Sequence, residues 1–181
     1  MKLHGEHHVN ASPDQVWQLL VDPDVLKRCT PGCERLDQIE ANTYEAALQL
    51  GIGAIKGKYT GRIRLEELRP PAHLKMSVDG RGTQGFVKGN GTLELTALDS
   101  MTKIVYSGDV QLGGPLAGIG QRLIQSSATV IAGQFFTALD AEIAARRKAA
   151  TTGAPVTPPS HGIVRTFLRY LWGLIKRLFA S

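Results

Sequence analysis

The sequence predicts an α+β domain in which a strongly curved antiparallel sheet wraps around one long C-terminal helix, followed by a separate amphipathic tail helix. Three observations carry this. Period-two alternation of side-chain character fills most of the stretch from Cys33 to Leu112, a long helical pattern follows the break at Gly113-Gly114-Pro115, and a Pro/Thr/Gly-rich segment then isolates a cationic C-terminus.

Residues 2 to 9 have the makeup of an opening strand. Ser12-Pro13-Asp14 supplies an N-cap with proline at the first helical position, and Val16, Trp17, Leu19 and Leu20 give the short helix behind it an apolar face. Asp22-Pro23-Asp24 restarts the chain into a second short helix ending near Cys29. Strand patterns follow in Tyr44/Ala46/Leu48/Leu50/Ile52, Tyr59/Gly61/Ile63/Leu65, Leu74/Met76/Val78, Val87/Gly89/Gly91/Leu93/Leu95 and Ile104/Tyr106/Gly108/Val110/Leu112. Short connections make consecutive strands antiparallel, since parallel neighbours need crossover helices for which there is no sequence. The helical pattern after Gly113-Gly114-Pro115, reaching about Lys148, can then place Leu116, Leu123, Ile124, Ile131, Phe135 and Leu139 on one face.

The order of strand, two short helices, about six strands and a long helix resembles the helix-grip arrangement of the START and birch-pollen-allergen (Bet v 1-like) type. A curved sheet and a straight helix can leave a cavity between them. Glycines 61, 89, 91 and 108 occupy nominally inward positions, where they either open volume or mark bulges in the strands.

At 181 residues the chain holds one ordinary domain, expected over 1–148, plus an appendage. Two cysteines exclude a disulfide framework, and the N-terminus lacks the apolar run of a secretory signal, so reduced thiols in the cytoplasm are expected. All 16 acidic residues precede residue 143, whereas Ser160 to Ser181 contain four basic residues and no acid, contributing +4 of the net +5. The basic character therefore describes a tail, which argues against a nucleic-acid-binding domain.

Residues 149–162 have the composition of an extended linker. Over 163–180, a helical projection gathers Phe167, Leu168, Leu171, Trp172, Ile175, Leu178 and Phe179 into one broad arc and Arg165, Arg169, Lys176 and Arg177 into the opposite one. Such a helix suits a membrane interface on the inner face of the cell membrane, and its recurring charges exclude a transmembrane span. Packing against the domain or a protein partner would produce the same periodicity.

Residues with chemical potential are sparse. His4, His7 and His8 share one strand, but His7 points away from the other two, and no carboxylate or cysteine cluster supports a metal site. Cys29 and Cys33 are spaced C-x-x-x-C and read as a turn into the sheet. Tyr44, Tyr59 and Tyr106 could orient a ligand carbonyl or simply pack. There is no nucleophile elbow, phosphate loop or zinc-binding His-Glu-x-x-His, so no catalytic residue is assigned and binding is favoured over catalysis.

Asp22-Pro23-Asp24-Val25-Leu26, Cys29-Thr30-Pro31-Gly32-Cys33, Gly57-Lys58-Tyr59-Thr60-Gly61 and the stretch from Gly113 to Ile124 together resemble the G subunit of carbon monoxide dehydrogenase, a START-like (SRPBCC) family. The resemblance covers about residues 2–145. It implies an accessory protein that tethers the dehydrogenase complex to the membrane lipid surface and handles isoprenoid quinone. Menaquinone or a similar quinone is then the bound ligand, with no covalent cofactor. Inward alternation, helix face and proximity to a mouth nominate Leu50, Ile52, Tyr59, Ile63, Phe86, Val87, Tyr106, Leu116, Ile119, Leu123 and Ile124 as ligand-binding residues. The alternatives are a solid-cored recruitment adaptor and a cyclase or hydrolase of the same fold, the latter requiring an ionisable pair within the cavity.

Overall fold

A computed structural model of the chain describes residues 1–152. The elements are β1 (Lys2–Val9), α1 (Pro13–Leu20), α2 (Pro23–Cys29), β2 (Cys33–Glu40), β3 (Thr43–Ile52), β4 (Ile55–Arg69), β5 (His73–Gly82), β6 (Gly85–Leu98), β7 (Met101–Gly113), a 3₁₀ turn (Gly114–Gly118) and α3 (Gln121–Thr152). The chain divides into two compact units, Met1–Ile143 and Ala144–Ser181; of the second, the structure describes only the helical residues 144–152.

Local chemistry starts each early helix. Ser12 caps α1 reciprocally: its hydroxyl accepts from the Gln15 N–H, while the Gln15 side chain accepts from the Ser12 N–H. Asp22 caps α2 by accepting from the N–H groups of Asp24 and Val25. Proline at the first helical position of both leaves no orphan donor there.

The seven strands form one curved antiparallel sheet in the order β1-β7-β6-β5-β4-β3-β2. β1 forms one edge, α1 and α2 carry the chain to the far edge, and five hairpins then build β2 through β7 in sequence until β7 pairs with β1. The β5–β6 and β6–β7 ladders run without a register shift past Gly89, Gly91 and Gly108. These glycines are therefore not bulges. Gly61 has another role: a Cβ there would lie 2.5 Å from the Asp79 carbonyl oxygen and 2.6 Å from Cα of Gly80, so it permits close strand approach.

The long helix starts later than its sequence pattern. Gly114–Gly118 forms a 3₁₀ turn, Gly120 adopts φ +96°, and only Gln121 begins α3. The helix runs through Thr152, past the expected end near Lys148 and into the segment read as linker. Ile124, Leu139 and Ile143 are buried, but Leu123, expected on the same inward face, is 59% exposed. Adjacent helical residues lie about 100° apart, and with Ile124 turned to the core Leu123 falls on the solvent side.

Two apolar clusters result. One joins α1, α2 and the later part of α3 to the sheet through Val9, Val16, Leu19, Val25, Leu93, Ile104, Phe136 and Leu139. The other gathers Leu48, Leu50, Ala54, Ile55, Val87, Leu112 and Ile119 around buried Tyr59, Leu116 and Ile124.

Candidate ligand-binding site

Between these clusters the sheet and α3 enclose an apolar cavity of about 280 Å³. On the sheet side it is bordered by Leu3, Met76, Val78, Val87, Tyr106 and Val110, with Gly89, Gly91 and Gly108 between them; on the helix side stand Ala128, Thr129 and Ala132. Met76 and Tyr106 also pack on the first cluster and Val87 on the second, which places the space between two filled regions.

The hollow has a local cause in the sequence. Positions 124, 128, 132 and 136 follow one another at i, i+4 along α3 and carry Ile, Ala, Ala and Phe. The large outer pair is buried, whereas the small inner pair lines the cavity. Gly91 pairs with Gly108 across β6 and β7, and Gly89 lies two residues along β6. Small residues thus meet small residues across the interface, and no side chain fills the gap.

A second, more open cavity of about 460 Å³ lies where β6 starts and β7 ends, bordered by Met1, Phe86, Val110, Leu112, Leu116, Gly120 and Ile124 among others. Val110 lines both spaces. Phe86 and Val87 are adjacent on β6; Val87 borders the first cavity, while the Phe86 ring lies over Gly113 and borders the second. Of the nominated residues, Val87 and Tyr106 line the inner cavity and Phe86, Leu116 and Ile124 the outer one. Leu50, Tyr59 and Ile119 belong to the second apolar cluster. Ile52 and Ile63 are half-buried on β3 and β4, and they and exposed Leu123 border neither space. Sequence reasoning missed Met76, Val78, Val110, Ala128 and Ala132, although the i, i+4 spacing of the two alanines was available as a signal.

The polar groups are arranged around the site as supports. The Tyr59 hydroxyl donates within 3.3 Å of Gln84 Oε1, which also accepts from the Lys56 N–H at 3.2 Å; the Gln84 carbonyl accepts from the Leu116 N–H at 2.8 Å. One glutamine thereby ties the β3–β4 hairpin to the 3₁₀ turn. Burial raises the Tyr59 and Tyr44 phenols above their ordinary range, keeping both protonated at neutral pH. His7 points towards α3, stacks on Phe136 with ring centroids 4.8 Å apart and meets Asp140 Oδ2 at 2.9 Å, while His4 and His8 are exposed. Arg28 grips buried Glu142 with two hydrogen bonds of 2.6 and 3.0 Å. Neither ion pair borders either of these two cavities. Burial pushes the Cys29 thiol up to about 12, and Cys33 is raised for the same reason.

Among the described residues no group of three or more His, Cys, Asp or Glu residues could hold a metal, and no helix is long and apolar enough to cross a membrane. The tail positions Arg165, Phe167, Leu168, Arg169, Leu171, Trp172, Ile175, Lys176, Arg177, Leu178 and Phe179 lie outside the described residues.

The arrangement is similar to known structures. A conserved protein from Geobacillus kaustophilus is 36% identical, with 80% of this chain and 95% of that chain covered and a TM-score of 0.77. A START superfamily protein from Mycobacterium smegmatis shares the fold at 11% identity and a TM-score of 0.62, covering 77% of this chain and 94% of that one. None of the curated proteins matches the chain. The family model for the G subunit of carbon monoxide dehydrogenase (CoxG) matches residues 5–144. Sheet topology, the helix laid across it and this match over most of the sequence agree: the chain belongs to the CoxG family, the G subunits of carbon monoxide dehydrogenase.

Proposed function

We propose that the protein is a membrane-associated accessory subunit that holds a respiratory quinone, menaquinone or a close relative, in the space between sheet and helix and supplies it to carbon monoxide dehydrogenase. One observation carries the reading: the inner cavity is apolar and is kept open by glycines facing alanines. It stands at the small end of ligand sites, which span roughly 300–1,000 Å³. It therefore suits a ring system or a few isoprene units, with the remainder of a longer ligand extending past Val110 into the outer space.

No covalent step is needed. An isoprenoid chain moving from lipid into an apolar cavity exchanges one hydrocarbon environment for another, so transfer is readily reversible. The protein's contribution is to prevent exposure of that chain to water, which costs about 25 cal/mol per Å². A bound quinone would supply electron-accepting chemistry to the dehydrogenase; the chain's own residues bind and shield it. No Asp or Glu borders either cavity, and His4, which lines the inner one, has no carboxylate beside it there, which favours carriage over acid–base catalysis by an ionisable pair. The amphipathic 163–180 segment, lying on the inner membrane face, would hold the carrier near its source.

The deciding experiment is mass spectrometry of organic extracts from protein purified with and without residues 160–181. Isoprenoid quinone in the full chain supports the carrier. Its absence from both samples, with liposome binding retained by the full chain, leaves a tether only. For the tail, Leu171→Glu with Ile175→Glu abolishes liposome sedimentation while residues 1–148 stay folded; unchanged sedimentation removes the interfacial helix.

A further inference from the structure

The outer cavity opens at one end of the sheet, where the β3–β4 hairpin, the β5–β6 hairpin, the 3₁₀ turn and the first turn of α3 come together. Residues 49–58, 80–88 and 111–124, which build this end, include Lys56, Lys58, Arg81, Lys88 and Arg122 and no Asp or Glu. All five cations are exposed. Lys88 is met by Asp79 at 3.2 Å, but among the described residues Lys56, Lys58, Arg81 and Arg122 form no ion pair. Phe86, on the rim of the opening, is 39% exposed, and Leu123, beside Arg122, is 59% exposed. Cations and large apolar side chains thus share the end at which the cavity opens.

We infer that this end of the domain is itself a membrane-docking surface, which seats on an anionic lipid bilayer with the cavity mouth facing the lipid. The inference deepens the proposed carriage by naming where the mouth meets its source, but its test requires no quinone. Four unanswered cations match the surface potential of an anionic leaflet. Phe86 and Leu123 can enter the acyl boundary as the apolar faces of interfacial helices do. The chain's own tail is a poor occupant, because 163–180 brings four further cations and no acid to a surface that already repels them.

The experiment uses the full chain and sedimentation with phosphatidylglycerol–phosphatidylcholine vesicles against pure phosphatidylcholine vesicles. Lys56→Gln/Lys58→Gln/Arg81→Gln should weaken binding to the anionic vesicles by at least about tenfold. Lys27→Gln/Arg64→Gln/Arg69→Gln, with the same loss of charge at exposed positions elsewhere, should change it much less. A fluorophore attached through Leu123→Cys in a Cys33→Ser background should shift to the blue on anionic vesicles, whereas one attached through Glu40→Cys should not. Should the first triple fail to fold, Lys58→Gln and Arg122→Gln are read singly in the same way.

Equal weakening by both triples would assign attachment to overall charge or to the tail and overturn the inference. So would an unshifted Leu123 label on sedimented protein, or failure of the full chain to bind anionic vesicles. Quinone extraction fails or succeeds separately from these readouts, so the two readings can fall independently.

Discussion

Ser127 on α3 accepts a hydrogen bond from the backbone N–H of Ala54, at the tip of the β3–β4 hairpin, at a distance of 3.0 Å. Its hydroxyl proton goes to the Leu123 carbonyl at 2.9 Å, so one buried side chain satisfies both its donor and its acceptor. The neighbouring Gly53, at φ +55°, makes room for it, since a Cβ there would lie 2.4 Å from the serine oxygen. The hairpin is thereby pinned to the helix beside the cluster of Tyr59, Leu116 and Ile124.

Ser127→Ala removes that pin and leaves the Ala54 N–H without its partner. The expected cost is about 1 kcal/mol of global stability, concentrated at the hairpin tip where the hydrogen bond is made. Amide hydrogen exchange checks it: protection at Ala54 should fall while that of the β6–β7 ladder is unchanged. Unaltered protection at Ala54 would show that the hairpin is fixed by other means.

The hollow between sheet and helix can be filled from either side, and the two sides should behave differently. Ala132→Phe adds a ring from the helix, where the space lies ahead of the side chain. It should abolish co-purification of an apolar ligand with little loss of stability. Gly108→Val must also displace backbone, because its Cβ would stand 2.8 Å from the Asn90 carbonyl oxygen; it should lose ligand and cost about 1–3 kcal/mol. Ligand retained by folded Ala132→Phe protein would place the binding space elsewhere.

These glycines show how far sequence reading reaches. Their inward positions follow from strand alternation, and the structure places Gly89, Gly91 and Gly108 at the cavity. Strand order and the two proline-started helices were legible for the same reason, since their signals are local and periodic. The phase of α3 was not. The helix begins only at Gln121, after a positive-φ turn at Gly120, and it holds Leu123 out while Ala128 and Ala132 line the cavity. Alanines add little to an apolar periodicity, so the cavity-forming ridge is faint in the sequence although its large ends, Ile124 and Phe136, are strong. Contacts such as Arg28 with Glu142, 114 residues apart, leave no local trace at all.

That ion pair makes its own prediction. Glu142 is almost wholly buried, with 2% of its side chain accessible, whereas Arg28 retains 31%. Arg28→Ala would strand the carboxylate in the interior and should destabilise the domain by about 3 kcal/mol, the low end for such losses because the arginine is partly hydrated. Arg28→Met with Glu142→Leu should recover most of this, since no charge is left to bury. Urea midpoints for the two variants test the claim; a double variant no more stable than Arg28→Ala would mean that packing, rather than the stranded charge, sets the cost.

Cys29 predicts a specific weakness in alkali. Burial is the main cause of its rise from an ordinary 9.0 to about 12, with the Glu142 carboxylate adding to it and Arg28 opposing it. The folded protein therefore keeps the thiol proton to higher pH than the unfolded chain does. The associated stability is complete below pH 9 and is lost as pH rises towards 12, at up to about 1.4 kcal/mol per pH unit inside that window. The tyrosines raised by burial act in the same direction, but only from their ordinary value of 10.0 upwards, so the interval between 9 and 10 isolates the thiol. Cys33 is also raised, yet it is present in both proteins of a comparison and cancels. Cys29→Ala should thus be less stable at neutral pH, through lost packing, while showing a shallower decline in unfolding free energy across that interval. Parallel declines in the two proteins would mean that the buried thiol ionises as freely in the folded domain as in the unfolded chain.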